Sequence, residues 1–530
     1  MSRFTGTTTI VRLVLRRDRV RLPVWLASLT GLMGVSAAAV QGLYDTPAER
    51  LAYERTTGSS GAAIALSGPP TALDTLGGIT VFEVSQVSII GISLMTIFLT
   101  LRHTRADEEA GRTELLRAGV LGRNADVAAI GLVMAAASAL TGAGLAATMI
   151  GVGLPVGGSV LFGTATATLG LIFTTIALVA AQVAEHNRGA VGLSLTMLGV
   201  LYGLRAVGDV NDSFVTWLSP IGWVQGVHAF GENRWWPLTL ALCFCAATTA
   251  FAGWLTTRRD IGSGLIASRP GSPEGSRWLG SPLGLAARMQ RGALIGWAVG
   301  IGALGAVYGS FGRDVQNMVE ENPELKKYFE QAAGDVTITD AYFGIVLLFT
   351  ALVATGFTVS SVLRLRTEEA ETRAEQLLAT PVSRWHWTLS WLAVTVTGTV
   401  AVLGVGGAAA GTAWALLSSD PSQVISLTLA QLTYVPAALV LGGVAFALFG
   451  WLPRAAGFAW AGVVACFVIG WMGDLLSLPD WLADFSPFEQ TPLVPSVELD
   501  ALPLLAIAAV AALLIAAGAT GFRRRDLVME

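Results

Sequence analysis

The chain has 530 residues, 53% of them hydrophobic and only 13% charged, with a mean hydropathy of +0.62. A soluble domain carries about a quarter charged residues, so composition excludes an ordinary soluble protein and points to a membrane protein. The net charge of -4 gives no ground for a nucleic-acid partner.

At the start, basic residues from Arg12 to Arg21, an apolar run from Leu22 and then Ala37-Ala38-Ala39 imitate a secretory leader. The apolar run continues to Leu43 and many more follow, so this stretch reads as an uncleaved first span behind a basic amphipathic segment. A spanning helix needs about 20 mainly apolar residues. Such runs lie near 22–43, 79–101, 126–150, 158–183, 189–208 and 236–257. A Pro/Gly/Ser-rich stretch, Ser268 to Ser281, reads as a linker. Six more runs lie near 292–309, 341–363, 387–417, 425–451, 456–473 and 500–521. The expectation is an all-α polytopic membrane protein of about twelve spans: a first half over 1–267, a linker over 268–281 and a second half over 282–530. The three cysteines, Cys243, Cys245 and Cys466, lie inside apolar runs and match no metal-ligand spacing.

Orientation follows from the 33 Lys and Arg. With the N-terminus in the cytoplasm, only Arg50, Arg55, Arg234, Arg313, Lys326 and Lys327 fall outside, and Arg205 falls within a span. All the others are cytoplasmic, which places both termini inside.

The halves are repeats. At an offset of 261 residues, Arg105, Glu108, Arg112, Glu114, Leu116, Ala118 and Arg123 meet Arg366, Glu369, Arg373, Glu375, Leu377, Ala379 and Arg384. Ser219-Pro220 answers to Ser486-Pro487, Gly208-Asp209 to Gly473-Asp474, and Arg258-Arg259-Asp260 to Arg524-Arg525-Asp526. With six spans each, the two halves are parallel repeats related by an axis along the membrane normal.

The loop after the second span of each half, Glu108 to Arg123 and Glu368 to Arg384, reads as a short amphipathic helix with a Leu pair and a Gly or Pro stop. One copy alone reads equally well as a solvated surface helix. Two copies at equivalent places, in a chain with no soluble domain, favour a docking element.

The run Glu375-Gln376-Leu377-Leu378-Ala379-Thr380-Pro381-Val382-Ser383-Arg384 resembles the hallmark of type-2 ATP-binding-cassette exporter permeases, where it follows the coupling helix. Ser-Pro between the fifth and sixth spans and Arg-Arg-Asp after the sixth are similar to the same family. The fused layout resembles actinobacterial antibiotic and multidrug exporter permeases, tetronasin exporters among them. The first half departs from the pattern, with Ala118-Gly119-Val120-Leu121-Gly122 in place of Ala-Thr-Pro-Val-Ser. The resemblance implies that the loops dock a separate ATPase subunit, two copies per chain. Glu108, Arg112, Glu114 and Arg123 in one loop, and Glu369, Arg373, Glu375 and Arg384 in the other, would then be contact or orienting residues. It also implies an outer gate at Ser219, Pro220, Ser486 and Pro487, against a plain interfacial cap.

The chain binds no cofactor of its own by this reading: ATP and Mg sit on the partner. No Gly-x-x-x-x-Gly-Lys-Ser/Thr run occurs, and Lys appears only at positions 326 and 327. Leu66-Ser67-Gly68 imitates a cassette signature but lies on the outer side before Pro69-Pro70.

Ionisable residues in spans are functional candidates. Glu83 and Gln86 open the second span, Gln431 lies in the tenth, and Arg205 can pair with Asp209 four residues on. The Arg205–Asp209 pair reads as structural; Glu83, Gln86 and Gln431, with aromatics such as Phe82, Phe98, Phe349, Phe357 and Tyr434, are the candidates for a path that would take a small hydrophobic or amphipathic cargo. Two other classes compete. A proton-coupled secondary transporter fits two six-helix halves but expects more intramembrane carboxylates. A membrane enzyme expects a convergent acid/base pair or metal cluster, and the sequence offers neither.

Overall fold

Two compact units divide the chain, Met1–Pro270 and Gly271–Glu530, and each has its own apolar core. The computed structural model describes residues 4–117, 119, 121–122, 124–258, 264–265, 274–320, 338–472, 484–497 and 499–526, and every regular element among them is helical. Arg123, Arg259, Asp260, Lys326, Lys327, Gly473, Asp474 and the first part of the linker, 268–273, lie outside the described residues.

The first unit begins with α1 (Thr7–Arg17), α2 (Arg21–Leu43), α3 (Pro47–Thr57), α4 (Gly61–Ser67) and α5 (Leu76–His103). It continues with α6 (Arg105–Glu109), α7 (Arg112–Arg117), α8 (Ala125–Gly151), α9 (Val156–Val183), α10 (Asn187–Val210), α11 (Pro220–Gln225) and α12 (Pro237–Arg258). The second unit repeats the order with α13 (Pro282–Ser310), α14 (Gly312–Glu320), α15 (Ile338–Ala370), α16 (Arg373–Leu378), α17 (Arg384–Ser418), α18 (Ser422–Leu432), α19 (Val435–Trp451), α20 (Ala459–Met472) and α21 (Ala501–Arg524). Among the described residues, twelve stretches are long and apolar enough to cross a membrane.

Helix starts obey local chemistry. Thr46 and Glu49 form a capping box around Pro47 at the head of α3. Side chains of Ser60, Thr75, Ser219, Ser281, Ser383 and Asp500 accept a backbone N–H at the first turn of α4, α5, α11, α13, α17 and α21. Ser281 with Pro282 starts α13 ten residues before the apolar run near 292–309. The tenth span also differs from the sequence reading: near 425–451 it is two helices, α18 and α19, parted at Thr433 and Tyr434. Pro436 has no N–H to give the preceding turn, so the helix must break there.

The most enclosed spans are α9 and α5 in the first unit and α15 in the second, whereas few residues of α2, α13, α20 and α21 are buried. Hydroxyls inside the spans satisfy themselves: Ser93 donates to the Ile89 carbonyl at 2.6 Å and Thr350 to the Val346 carbonyl at 2.8 Å. Others link helices. Thr358 and Thr399 lie 2.8 Å apart, and Ser361 joins Thr395 at 2.7 Å and also Gln290.

Close approach replaces hydrophobic driving force between helices in lipid. At the α8–α9 crossing, a Cβ on Gly142 would stand 2.2 Å from the Gly163 carbonyl oxygen, and one on Gly163 would meet Gly142 at the same distance. Gly131, on the same helix, has nothing within 4 Å. Gly142→Ala is therefore expected to lower the melting temperature of the detergent-solubilised chain, at a cost of about 1–3 kcal/mol. Gly131→Ala should leave it within error. Thermal unfolding followed by tryptophan fluorescence checks the pair.

Candidate functional site

Each unit has an arginine-rich end, where the second span stops and a short helix follows. In the first unit, α5 ends at His103, and Thr104 (φ -106, ψ -88) turns the chain into α6. Asp107, nearly buried, accepts from Arg17 at 3.0 Å and from Arg112 at 2.9 Å. His103 Nε2 meets the fully buried Asp18, whose other oxygen lies 3.2 Å from Arg102. Arg17 and Asp18 close α1, so two charge contacts lock the amphipathic helix onto the end of the second span. Arg105, 1% exposed, donates through Nε to the Glu185 carbonyl at 2.7 Å and through Nη1 to Glu108 at 3.0 Å. Glu109 accepts the Asn187 N–H at 3.1 Å. The turn between α9 and α10 is thereby fastened to α6.

The second unit solves the same problem with other partners. Glu368 and Glu369 are almost fully buried at the end of α15. Glu369 receives both Nη1 and Nη2 of Arg525, the latter at 2.8 Å, with Arg366 at 3.8 Å. Arg525 also donates to the carbonyls of Gly450 at 3.1 Å and Phe449 at 3.2 Å, and lies 5.1 Å from the Phe449 and Phe522 ring centres. Glu368 takes Arg373 through two bonds of 2.6 and 2.9 Å. Arg384 donates to the carbonyls of Arg525 at 2.7 Å and Phe522 at 3.4 Å. Leaving one member of such a buried pair alone costs about 3–5 kcal/mol.

These staples cover one side of each short helix. On the other, Glu114 and Leu115 of α7 are open, Leu115 at 79% exposure, as are Glu375 and Gln376 of α16. Of the eight residues expected to face a partner, Glu114 and Glu375 stand out from the surface, with Arg112 exposed but tied to Asp107. Glu108, Glu369, Arg373 and Arg384 are engaged within their own units. The role of Asp18, His103 and Asp107 escaped the sequence reading, although His103 and Asp107 carry the four-residue spacing of one helix face.

At the opposite end of the first unit, Arg205 is fully buried, 3.4 Å from Asp209, and donates to the carbonyls of Ile64 at 3.2 Å and Leu66 at 3.1 Å. Tyr202 donates to the Leu66 carbonyl and Gln225 to that of Ser67 at 2.6 Å. Gly68 adopts φ +111, and a Cβ there would fall 2.2 Å from Gln225. Arg205 is thus the clamp of a cap made from α4 and α11. Ser219 caps α11 and donates to the Leu201 carbonyl at 2.7 Å, with Pro220 buried behind it. In the second unit Ser486 is buried, Pro487 half-buried, and Phe488 stacks on Tyr434 at 6.3 Å.

The residues expected along a path separate into two groups. Phe357 and Tyr434 are core residues of the second unit, as is Gln431, which donates to the Leu347 carbonyl at 3.2 Å. Phe349 packs against Tyr308 and Phe467. In the first unit Glu83 and Phe98 are exposed and Gln86 is half-buried. Glu83 accepts a hydrogen bond from the Tyr53 hydroxyl and borders a cavity of about 70 Å³ with Leu29, Met33, Val87 and Ser88. A second cavity of about 50 Å³, lined by Phe82, Ser85, Phe162, Gln225 and His228, lies under the cap. Burial first, then the Glu83 carboxylate, pushes the Tyr44 and Tyr53 hydroxyls up from their ordinary value.

The Multidrug efflux system permease Rv1217c, C-terminal domain family model matches residues 279–523. The Multidrug efflux system permease protein Rv1217c of Mycobacterium tuberculosis is 37% identical over 531 residues, covering 99% of this chain and 96% of the relative. Similarity of that extent, over a chain with twelve apolar helices, gives the conclusion: this is a multi-pass membrane protein that belongs to the multidrug efflux system permease family.

Proposed function

We propose that the chain is the membrane-spanning subunit of an ATP-driven exporter, worked by a separate ATPase that docks on α7 and α16. One observation carries this reading. In each unit the first arginine of the short helix, Arg112 of α7 or Arg373 of α16, ties it to a buried carboxylate at the end of the second span, Asp107 or Glu368, and the other side of the helix is bare. Such an element is a lever: a push on the bare face passes towards α5 or α15 through the ion pair that joins the two. Glu114 with Leu115, and Glu375 with Gln376, supply the contact surface. Glu369, Arg373 and Arg384 hold the lever in place, as do Glu108 and Arg112. Arg123, which the same reading places in the first docking loop, lies outside the described residues.

On this reading the arginine-rich ends face the cytoplasm with both chain termini, as the distribution of basic residues favours. ATP and Mg belong to the partner, two copies per chain. Nucleotide binding drives transport only through a difference in affinity between the two states of the pair. The cargo is hydrophobic or amphipathic: drugs, antibiotics or lipids. The α4–α11 cap, with Ser219 and Pro220, and the segment around Ser486 and Pro487 act as the outer gate.

Three outcomes test the proposal. Gentle-detergent purification from the native host should bring down a cassette ATPase in stoichiometric amount; a chain that purifies alone and transports on a proton gradient without ATP overturns it. Glu375→Arg, on a bare face, should cut ATP-driven export in vesicles at least tenfold while melting temperature holds. Glu369→Gln, by contrast, should destabilise the chain by about 3–5 kcal/mol, seen as a lowered melting temperature before any transport is measured.

A further inference from the structure

We infer that the first unit holds a binding site for lipophilic organic cations, formed by Glu83, Tyr44 and Tyr53 over the cavity between α2, α5 and α8. The inference rests on the exporter reading and names the cargo class it would carry.

Glu83 lies two turns into α5, about 10 Å along the helix, inside an apolar span where ionisable residues are functional candidates. Its described contact is the Tyr53 hydroxyl, a neutral donor. Among the described residues no Lys, Arg or His lies within ion-pair distance of it. Arg50, on the same loop, is turned to the carbonyls of Tyr44 at 3.2 Å and Asp45 at 3.1 Å. Elsewhere in this unit the enclosed carboxylates Asp18, Asp107 and Asp209 each have a cationic partner. Glu83, by contrast, is open at the surface of its helix and has none among the described residues.

Beside it stands an aromatic corner. Tyr44 and Tyr53 meet edge to face with ring centres 4.9 Å apart. Ring faces attract a cation with little hydration. Below the carboxylate, Leu29, Leu32, Met33 and Val87 give an apolar wall, and Leu32 and Val87 are open at the surface. One fixed negative charge, two rings and a lipophilic wall fit a compact monocation with apolar substituents. A neutral compound would leave the carboxylate uncompensated, and an anion would be repelled. The cavity of about 70 Å³ is smaller than such a guest, so the guest straddles the mouth with its charge at Glu83. Ser88 and Thr166 line both this cavity and the one beneath the cap, so they form the wall between the two.

The test is saturable binding of radiolabelled tetraphenylphosphonium to the purified full chain in dodecyl maltoside, with triphenylphosphine oxide as the neutral competitor of similar bulk. Glu83→Gln keeps an acceptor for Tyr53 and removes the charge. It is expected to weaken tetraphenylphosphonium at least tenfold and to leave the neutral compound within twofold. Glu83→Asp should restore most of the affinity. Tyr53→Phe, which keeps ring and charge, should retain the preference for the cation. No saturable binding by the unaltered chain, or equal affinity in Glu83→Gln, overturns the inference. Displacement of the probe by added phosphatidylcholine would assign the site to a lipid head group and overturn it as well. The measurement needs no ATPase, so its failure and that of the ATPase co-purification are distinguishable.

Discussion

A charge that cannot reach water must be answered inside the protein, and the arginine-rich end of each unit is organised by that demand. Asp107 and Glu369 sit where a long apolar helix stops, too enclosed to stand alone. Their arginines come from distant segments: Arg17 lies 90 residues before Asp107, and Arg525 lies 156 residues after Glu369. Each ion pair is therefore a tertiary tie that sets where α1, or the end of the last span, rests against the second span. α7 and α16 hang from the same span ends through Arg112 to Asp107 and Arg373 to Glu368.

The opposite end of the first unit meets the same constraint by a different route. There a fully buried arginine, Arg205, is shared between one carboxylate and two backbone carbonyls. The cap made of α4 and α11 is thus held by hydrogen bonds as well as by its buried apolar residues Ala63, Ile221 and Val224.

Much of this was legible in the sequence. Apolar run length located the spans, since a bilayer sets a minimum that few other structures need. The repeat around Glu108 and Glu369 marked the segments where the second span turns into a surface helix. What could not be read was direction. A Glu on an amphipathic helix presents the same letter whether it faces solvent, as Glu375 does, or is buried against Arg525, as Glu369 is. Long-range pairing decides between them, and pattern within one helix carries no information on a partner 156 residues away. Phe357, Gln431 and Tyr434 show the same limit: an aromatic or amide in a span has equal claim to a pathway and to a core, and here each is core of its own unit. The break at Thr433 and Tyr434 lay inside an unbroken apolar run whose one warning was Pro436.

The two units differ in when their ties can form. Asp107 is answered by Arg17, which leaves the ribosome first, so the first unit can close this joint while the rest of the chain is still being made. Glu369 is answered by Arg525, which is made much later. Until then the carboxylate has its neighbour Arg366 but not its closest partner, and a nascent chain halted between the two positions never gains that tie. The first unit can thus be tied early in synthesis, whereas the second gains its closest ion pair only once its last span has been made.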